Sequence, residues 1–204
     1  GISVHDFGVE PALSYEIFDI NNDGYNDIVV GTQEAGPDMY GSTTSILFGK
    51  STFGEYDVVS MPDTDTVFTL DLEFLDYDND GDMDLFVGGR HIPHQYPLPA
   101  TSMILRNDNG QLVNVTKEIA KEFKKLGMVT DALWSDYDND GDIDIILAGE
   151  WMPITVFNNE KGMFNKVKEN GLENSDGWWF SLEQGDFDGD GDIDFIAGNL
   201  GLNY

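Results

Sequence analysis

Four short acidic segments recur along the 204-residue chain and carry the residues best suited to chemistry. They are DINNDGYND at 19–27, DYDNDGDMD at 76–84, DYDNDGDID at 136–144 and DFDGDGDID at 186–194. Each follows the pattern D-x-[DN]-x-D-G-x-x-D, which places side-chain oxygens at loop positions 1, 3, 5 and 9. Alternate positions of a tight turn can direct successive oxygens inward, and Ca²⁺ takes ~6–8 oxygen ligands. The pattern therefore predicts a calcium site in each segment.

Each predicted site combines the side chains of positions 1, 3, 5 and 9 with the carbonyl oxygen of position 7. The glycine at position 6 permits the sharp bend at positive φ that exposes this carbonyl. We expect three or four Ca²⁺ ions with a mainly structural role. We expect loop 19–27 to lose calcium first, because it has the fewest carboxylates. The predicted metal ligands are Asp19, Asn21, Asp23, Tyr25, Asp27, Asp76, Asp78, Asp80, Asp82, Asp84, Asp136, Asp138, Asp140, Asp142, Asp144, Asp186, Asp188, Asp190, Asp192 and Asp194.

Other metals and other loop types fit this pattern less well. Mg²⁺ retains several waters in a strict octahedron. Zinc favours His or Cys as ligands, and the chain has three histidines and no cysteine. An EF-hand loop requires a bidentate Glu at position 12, where the chain has Val30, Val87, Leu147 and Ala197. The remaining alternative is a set of turns without an ion, since Asp, Asn and Gly are ordinary turn residues.

Strands must position these loops. Before the first loop, Leu13, Tyr15 and Ile17 alternate with Ser14 and Glu16, and a period of two is typical of a strand. After each loop comes a short apolar run, which predicts a buried strand closed by Gly31, Gly88, Gly149 or Gly198. Further strands are predicted at Thr44–Phe48, Tyr56–Ser60, Ser102–Arg106, Gln111–Val115, Ile154–Asn158 and Phe164–Val167, and a helix at Thr116–Lys125.

The repeat length indicates the architecture. Each repeat of about 50–60 residues holds roughly four short antiparallel strands, which is typical of a β-propeller blade. Only ten residues follow Asp194, too few for a complete fourth blade. We therefore predict an all-β fold in which residues 1–204 form one β-propeller segment of three blades and a partial fourth, part of a larger propeller. A β-sandwich is the alternative fold.

Charge and composition narrow the possible partners. The chain has 10 Lys+Arg against 39 Asp+Glu, a net charge of −29, which would repel a nucleic-acid backbone and anionic lipid. No apolar run approaches the ~20 residues that cross a bilayer. We expect a soluble, folded protein with no nucleic-acid partner and no membrane insertion.

Two classes of function remain open. A non-catalytic recognition module would bind a protein or glycan through loops on one rim, where Arg90, Tyr96 and Trp151 are candidate ligand-binding residues. The alternative is part of a polysaccharide-degrading enzyme, for which Glu150 is an acid outside the calcium loops. No acid and base pair with opposed environments can be assigned from the sequence.

The loops and their flanks resemble the FG-GAP/VCBS repeat family, which includes the calcium-binding propeller repeats of integrin α chains. Four further segments resemble bacterial VCBS proteins of the ASPIC/UnbV type: GGRHIPHQYP from Gly88, GMVTDALWSDYDNDGD from Gly127, GEWMPI from Gly149 and GNLGLN from Gly198. The resemblance implies structural calcium, a location that is extracellular, on the cell surface or periplasmic, and a role in adhesion or ligand binding. No ASPIC/UnbV segment is present, so its function is not implied for this chain.

Overall fold

The computed structural model describes residues 12–32, 44–52, 54–61, 68–92 and 94–201. Within these ranges the protein is almost entirely β-structure, as predicted. The strands are β1 (Ala12–Phe18), β2 (Asp27–Thr32), β3 (Thr44–Gly49), β4 (Tyr56–Ser60), β5 (Phe68–Leu75), β6 (Asp84–His91), β7 (Met103–Asp108), β8 (Gln111–Asn114), β9 (Met128–Ser135), β10 (Asp144–Met152), β11 (Thr155–Asn159), β12 (Phe164–Lys166), β13 (Gly177–Gly185) and β14 (Asp194–Asn199).

Consecutive strands pair antiparallel to form one sheet per repeat. The first three sheets are β1-β2-β3-β4, β5-β6-β7-β8 and β9-β10-β11-β12. The fourth repeat contributes β13 and β14, and β13 also pairs with the end of β10, where Glu150 lies opposite Trp178. The first strands β1, β5, β9 and β13 lie side by side. This is a β-propeller segment with three four-stranded blades and a partial fourth, as the sequence predicts.

The topology separates two rims. Each acidic loop joins the first and second strands of its blade, so all four loops lie at the same end of the sheets. The second strands run away from these loops, and the segments that follow β6 and β10 therefore lie at the opposite end. Residues Arg90 and Glu150 belong to this opposite rim, far from the predicted calcium loops.

The hydrophobic core lies between the blades. Val29 and Ile46 of the first blade pack with Leu72 and Leu85 of the second. The interface between the second and third blades is the most aromatic and includes Phe86, Phe123, Phe157 and Phe164. A smaller cluster of Ile146, Ala148, Val156 and Leu182 joins the third blade to β13.

The predicted ends of the second strands are wrong. The strands continue past Gly31, Gly88, Gly149 and Gly198, and in each blade the pairing at the glycine is irregular. The first strand approaches the glycine closely there: a Cβ on Gly149 would overlap the carbonyl oxygen of Met128, and one on Gly198 would overlap the Ser181 hydroxyl. The glycines accommodate a bulge in the neighbouring strand and do not end their own.

The predicted helix Thr116–Lys125 forms in two pieces. The α-helix α1 spans Thr116–Ile119, and a 3₁₀ helix spans Lys121–Lys125. Ala120 separates them with φ −138° and ψ 57°, outside the helical region. The break lets Ala120 and Phe123 both enter the core between the second and third blades. No helix among the described residues is long and apolar enough to cross a membrane.

Candidate metal centres

Three of the four acidic loops bring carboxylates together. In each of them, one oxygen from each of positions 1, 3 and 9 lies within 4.8 Å of the others. The groups are Asp76, Asp78 and Asp84; Asp136, Asp138 and Asp144; and Asp186, Asp188 and Asp194. The first loop has Asp19 and Asp27 at positions 1 and 9 but the amide of Asn21 at position 3. These sets of hard oxygen donors suit a divalent cation such as Ca²⁺.

Backbone N–H groups fix the position 1 carboxylate. In the second loop, Asp76 accepts hydrogen bonds from the backbone N–H groups of Asp80 (3.0 Å) and Gly81 (3.0 Å). The chain can fold back in this way because positions 4 and 6 have positive φ, 59° at Asn79 and 98° at Gly81. The glycine at position 6 has the positive φ that the sequence predicts. Position 4 was not predicted, although it is always Asn or Gly, the residues that tolerate this conformation.

The position 9 carboxylate ties the loop to its sheet. Asp84 accepts from the N–H of Tyr77 in the loop (3.1 Å) and from the N–H of Asn107 in β7 (2.8 Å). Asp27 and Asp144 make the equivalent pairs of bonds and, like Asp84, are buried. Each carboxylate thus faces the loop from the first residue of the second strand, held by one bond from the loop and one from the third strand of its sheet.

Positions 5 and 7 make other contacts. The position 5 carboxylates accept from the position 7 backbone N–H in every loop, as Asp80 does from Asp82 at 2.9 Å. The Asp82 side chain accepts from the N–H of Asn109 (3.0 Å) and from the amide of Asn22 in the first loop (3.2 Å). Neither position belongs to the carboxylate groups described above, so the predicted ligands at positions 5 and 7 stay predictions.

The fourth loop is the most exposed. Asp194 accepts from the N–H of Phe187 at 3.0 Å, and Asp186 and Asp188 are open to solvent. The described residues place no third strand beside Asp194, in contrast to the three complete blades. This loop depends mainly on bonds within itself.

Burial makes the position 9 carboxylates of the first three loops unfavourable as anions. It raises the pKa of Asp84 to about 7. The hydrogen bonds from Asn107 and Tyr77 lower this pKa, but burial outweighs them, and the negative charges of Asp78 and Asp80 raise it further. Burial is also the main cause of a raised pKa at Asp27 and Asp144. A cation held at these loops would favour the charged forms instead.

A buried asparagine joins each of the first two loops to the next blade. The Asn107 amide donates to the carbonyl oxygens of Ile20 in the first loop (2.9 Å) and Met83 in the second (3.1 Å). The Asn159 amide donates in the same way to Tyr77 (3.0 Å) and Ile143 (3.1 Å). We call these two residues the asparagine clamps. Sequence reasoning missed them, although N-x-x-G recurs at 107–110 and 159–162.

Another set of acids lies where the first strands meet. The pKa of Glu73 is raised to about 7, mainly by burial and further by the negative charges of Glu16 and Asp131. The pKa of Asp71 is raised well above its ordinary value by burial and by Asp131 and Glu73. This axial acidic cluster, formed by Glu16, Asp71, Glu73 and Asp131, is separate from the metal loops.

The opposite rim brings Arg90, Tyr96 and Trp151 together around Glu150. The Glu150 carboxylate is fully buried and pairs with the Arg90 guanidinium, whose Nε donates to Oε1 at 2.6 Å. The Tyr96 hydroxyl donates to Oε2 of Glu150 at 3.0 Å, and the Trp151 indole N–H donates to the Tyr96 oxygen at 3.3 Å. The sequence does not predict that these side chains form one network, because strands of two different blades and the loop after β6 bring them together.

The four tryptophans have different surroundings. Trp179 of β13 packs against the third blade, and Trp134 packs between the second and third blades. The Trp151 side chain is exposed (59%) and stacks on the half-buried Trp178, with ring centroids 5.5 Å apart and an interplanar angle of 22°. The opposite rim therefore presents an aromatic surface to solvent.

The fold and the loops together define a β-propeller segment whose blades each carry an acidic loop. Comparison with protein-family models matches the FG-GAP-like repeat at residues 19–87 and 136–197, and each match contains two of the four loops. These regions cover more than half of the chain, which therefore belongs to the FG-GAP-like repeat family. A search of the curated proteins found no match.

Proposed function

We propose that this chain is a calcium-stabilised, non-catalytic recognition module of an exported or cell-surface protein. The observation that carries the proposal is the convergence of three carboxylates in each of three loops. Without a cation, such groups repel one another and destabilise the turn. Family membership supports the proposal, because FG-GAP repeats typically occur in extracellular proteins, where calcium concentrations suit weak sites.

Calcium would contribute a large part of the stability. Each independent site adds RT ln(1 + [Ca²⁺]/Kd), or ~2.7 kcal/mol when calcium is at a hundredfold excess over Kd. A domain has a total free energy of unfolding of ~5–15 kcal/mol. The bound ions therefore act as part of the scaffold and leave recognition to the opposite rim. The resemblance of GGRHIPHQYP and GEWMPI to VCBS proteins of the ASPIC/UnbV type concerns this rim and supports a role in binding a protein or glycan.

Thermal unfolding in EDTA, in millimolar Ca²⁺ and in equal Mg²⁺ tests the proposal, with bound metal counted by elemental analysis. We expect a large increase of the midpoint specific to Ca²⁺ and three or four ions per chain. The variant Asp138→Ala removes one carboxylate from a loop and should bind one ion fewer. Its control, Glu118→Ala, removes an exposed carboxylate from α1 and should bind as many ions as the unchanged protein. No bound metal and an unchanged midpoint would contradict the proposal.

A catalytic role for Glu150 is less well supported. Both of its carboxylate oxygens accept hydrogen bonds, and its side chain has no exposed surface. A general acid or base must reach the substrate. Glu150 instead positions Arg90 and Tyr96 at the rim, which favours a binding surface over an active site.

A further inference from the structure

Two connections of the second blade enclose a pocket at the opposite rim. One joins β6 to β7, and the other leads from β8 through α1 and the 3₁₀ helix to β9. The pocket has a volume of about 400 Å³, within the ~300–1,000 Å³ typical of small-molecule sites. Its lining residues lie between Ile92 and Lys124, and none of them belongs to the fourth repeat. The pocket is therefore formed by complete elements of the fold.

The inner wall of the pocket is apolar and belongs to the core. Ala100, Met103 and Ala120 line it and are almost completely buried. Hydrogen bonds hold the polar part of the wall: Oγ1 of Thr116 accepts from a backbone N–H of β7 at 2.9 Å and donates to Oδ1 of Asn114 at 2.7 Å. The wall is thus formed before a ligand binds, and its character suits a hydrocarbon group.

The outer edge of the pocket is cationic. Lys117, Lys121 and Lys124 line it and are exposed, and the ion pairs among the described residues involve none of them. Residues 116–125 hold four of the ten basic residues of the chain and two glutamates, neither of which lines the pocket. The acidic loops lie at the other end of the sheets, and salt screens charges over ~8 Å at physiological ionic strength. The lysines therefore make the mouth of the pocket positive.

This combination selects among ligands. A cationic group would be repelled by the three lysines, which have no carboxylate beside them in an ion pair. A sugar would find no aromatic face, because none of the lining residues is aromatic. An apolar wall below a cationic edge instead fits a molecule with a hydrocarbon body and an anionic end.

We infer that this pocket binds a small amphipathic carboxylate. Its hydrocarbon body lies against Met103 and Ala120, where it is removed from water, and its carboxylate lies among the three lysines. This inference rests on the proposed function, because it names a ligand class for the recognition rim. It requires neither Trp151 nor the network around Glu150.

Binding is tested by calorimetry with octanoate and 4-phenylbutyrate, two carboxylates of this class, in millimolar Ca²⁺. We expect saturable binding of at least one of them. Octanamide keeps the hydrocarbon body of octanoate and loses its charge, and acetate keeps the charge and loses most of the body. Each should bind at least tenfold more weakly than octanoate, because each lacks one of the two interactions.

A triple variant tests the cationic edge. Replacing the lysines of the pocket should weaken octanoate binding at least tenfold and leave the unfolding midpoint without ligand nearly unchanged; the substitutions are Lys117→Gln, Lys121→Gln and Lys124→Gln. The matched control changes the net charge equally but alters three lysines of the third blade that do not line the pocket. It combines Lys161→Gln, Lys166→Gln and Lys168→Gln and should bind octanoate as the unchanged protein does.

Two further measurements locate the ligand in the pocket. Thr101 is exposed and lines the pocket, so Thr101→Phe places a ring in it and should weaken octanoate binding at least tenfold with little change of the midpoint. In a protein with labelled methionine methyl groups, octanoate should shift the NMR signal of Met103. The variant Met103→Leu identifies that signal by its loss.

The outcomes distinguish this inference from the proposed function. If calcium raises the unfolding midpoint but neither carboxylate binds, the pocket inference is wrong and the calcium scaffold stands. Octanoate binding that octanamide or acetate equals, or that the triple lysine variant keeps, would also overturn it. Binding of hexaglutamate alone would assign the lysines to an acidic protein partner instead. If octanoate binds as expected and calcium leaves the midpoint unchanged, the proposed function fails and the pocket remains.

Discussion

At the scale of single residues, the four acidic loops differ most at position 3. The second, third and fourth loops have aspartate there, and the first has Asn21, whose amide donates to Asp23 at 3.1 Å. An asparagine offers a neutral oxygen to a cation, whereas an aspartate offers a charged one. The affinity of a calcium loop depends on the number of charged ligands. The residue at position 3 should therefore set the order of calcium affinity among the loops, with the first loop the weakest.

Exchanging the residues at position 3 tests this ranking. Asn21→Asp should raise the calcium affinity of the first loop and lower stability in EDTA, because it adds a carboxylate and removes an amide donor. Asp78→Asn should have the opposite effects in the second loop. The measurement is the unfolding midpoint as a function of calcium concentration. Equal shifts of the two variants in the same direction would show that charge at position 3 does not control affinity.

At the scale of secondary structure, strands and loops were predictable where local pattern decides them. The alternation before the first loop and the apolar run after each loop depend on neighbouring residues, and strands form at these places. The strand ends at Gly88 and Gly149 and the break at Ala120 depend on contacts with another strand or blade, which no local pattern contains. The asparagine clamps were missed for the same reason, since their partners in the preceding blade lie more than 80 residues away.

Removing a clamp should weaken the packing of adjacent blades and lower the free energy of unfolding. Asn107→Ala and Asn159→Ala each leave two carbonyl oxygens and one glycine N–H without their partner, at a cost of roughly 2–4 kcal/mol in the free energy of unfolding. The matched control is Asn165→Ala, which replaces an exposed asparagine and should change the free energy of unfolding by less than about 0.5 kcal/mol. Denaturant unfolding in Ca²⁺ measures both. A clamp variant as stable as the control would mean that the amide bonds add nothing to blade packing.

At the scale of the whole molecule, packing the first strands together concentrates negative charge along their line of contact. The axial acidic cluster combines Glu16 of β1, Asp71 and Glu73 of β5, and Asp131 of β9. Because the pKa of Glu73 is about 7 in the folded state and ordinarily 4.5, the folded protein binds a proton that the unfolded chain releases. The free energy of unfolding therefore decreases as pH rises from about 4.5 to 7, because Glu73 must then be ionised in the folded protein.

Glu73→Gln should remove that dependence at one site. We expect the variant to match the unchanged protein near pH 5, where Glu73 is neutral in the folded state, and to unfold at a higher temperature at pH 8. The measurement is the difference between the two unfolding midpoints across this pH range in constant Ca²⁺, which cancels the titration of the metal loops. A difference that does not grow with pH would show that Glu73 is ionised without penalty in the folded protein.

The asparagine clamps also bear on how such a chain can evolve. Asn107 and Asn159 each bond to their own loop and to the loop of the preceding blade, and the two loops present equivalent carbonyl oxygens. A duplicated repeat would thus carry an asparagine amide that can bond to the loop of the blade before it. Its own loop would offer the carbonyl oxygen that the asparagine of the blade after it requires. Gene duplication could then change the number of blades without a new interface, and selection would remain free to alter the residues of the opposite rim in any single copy.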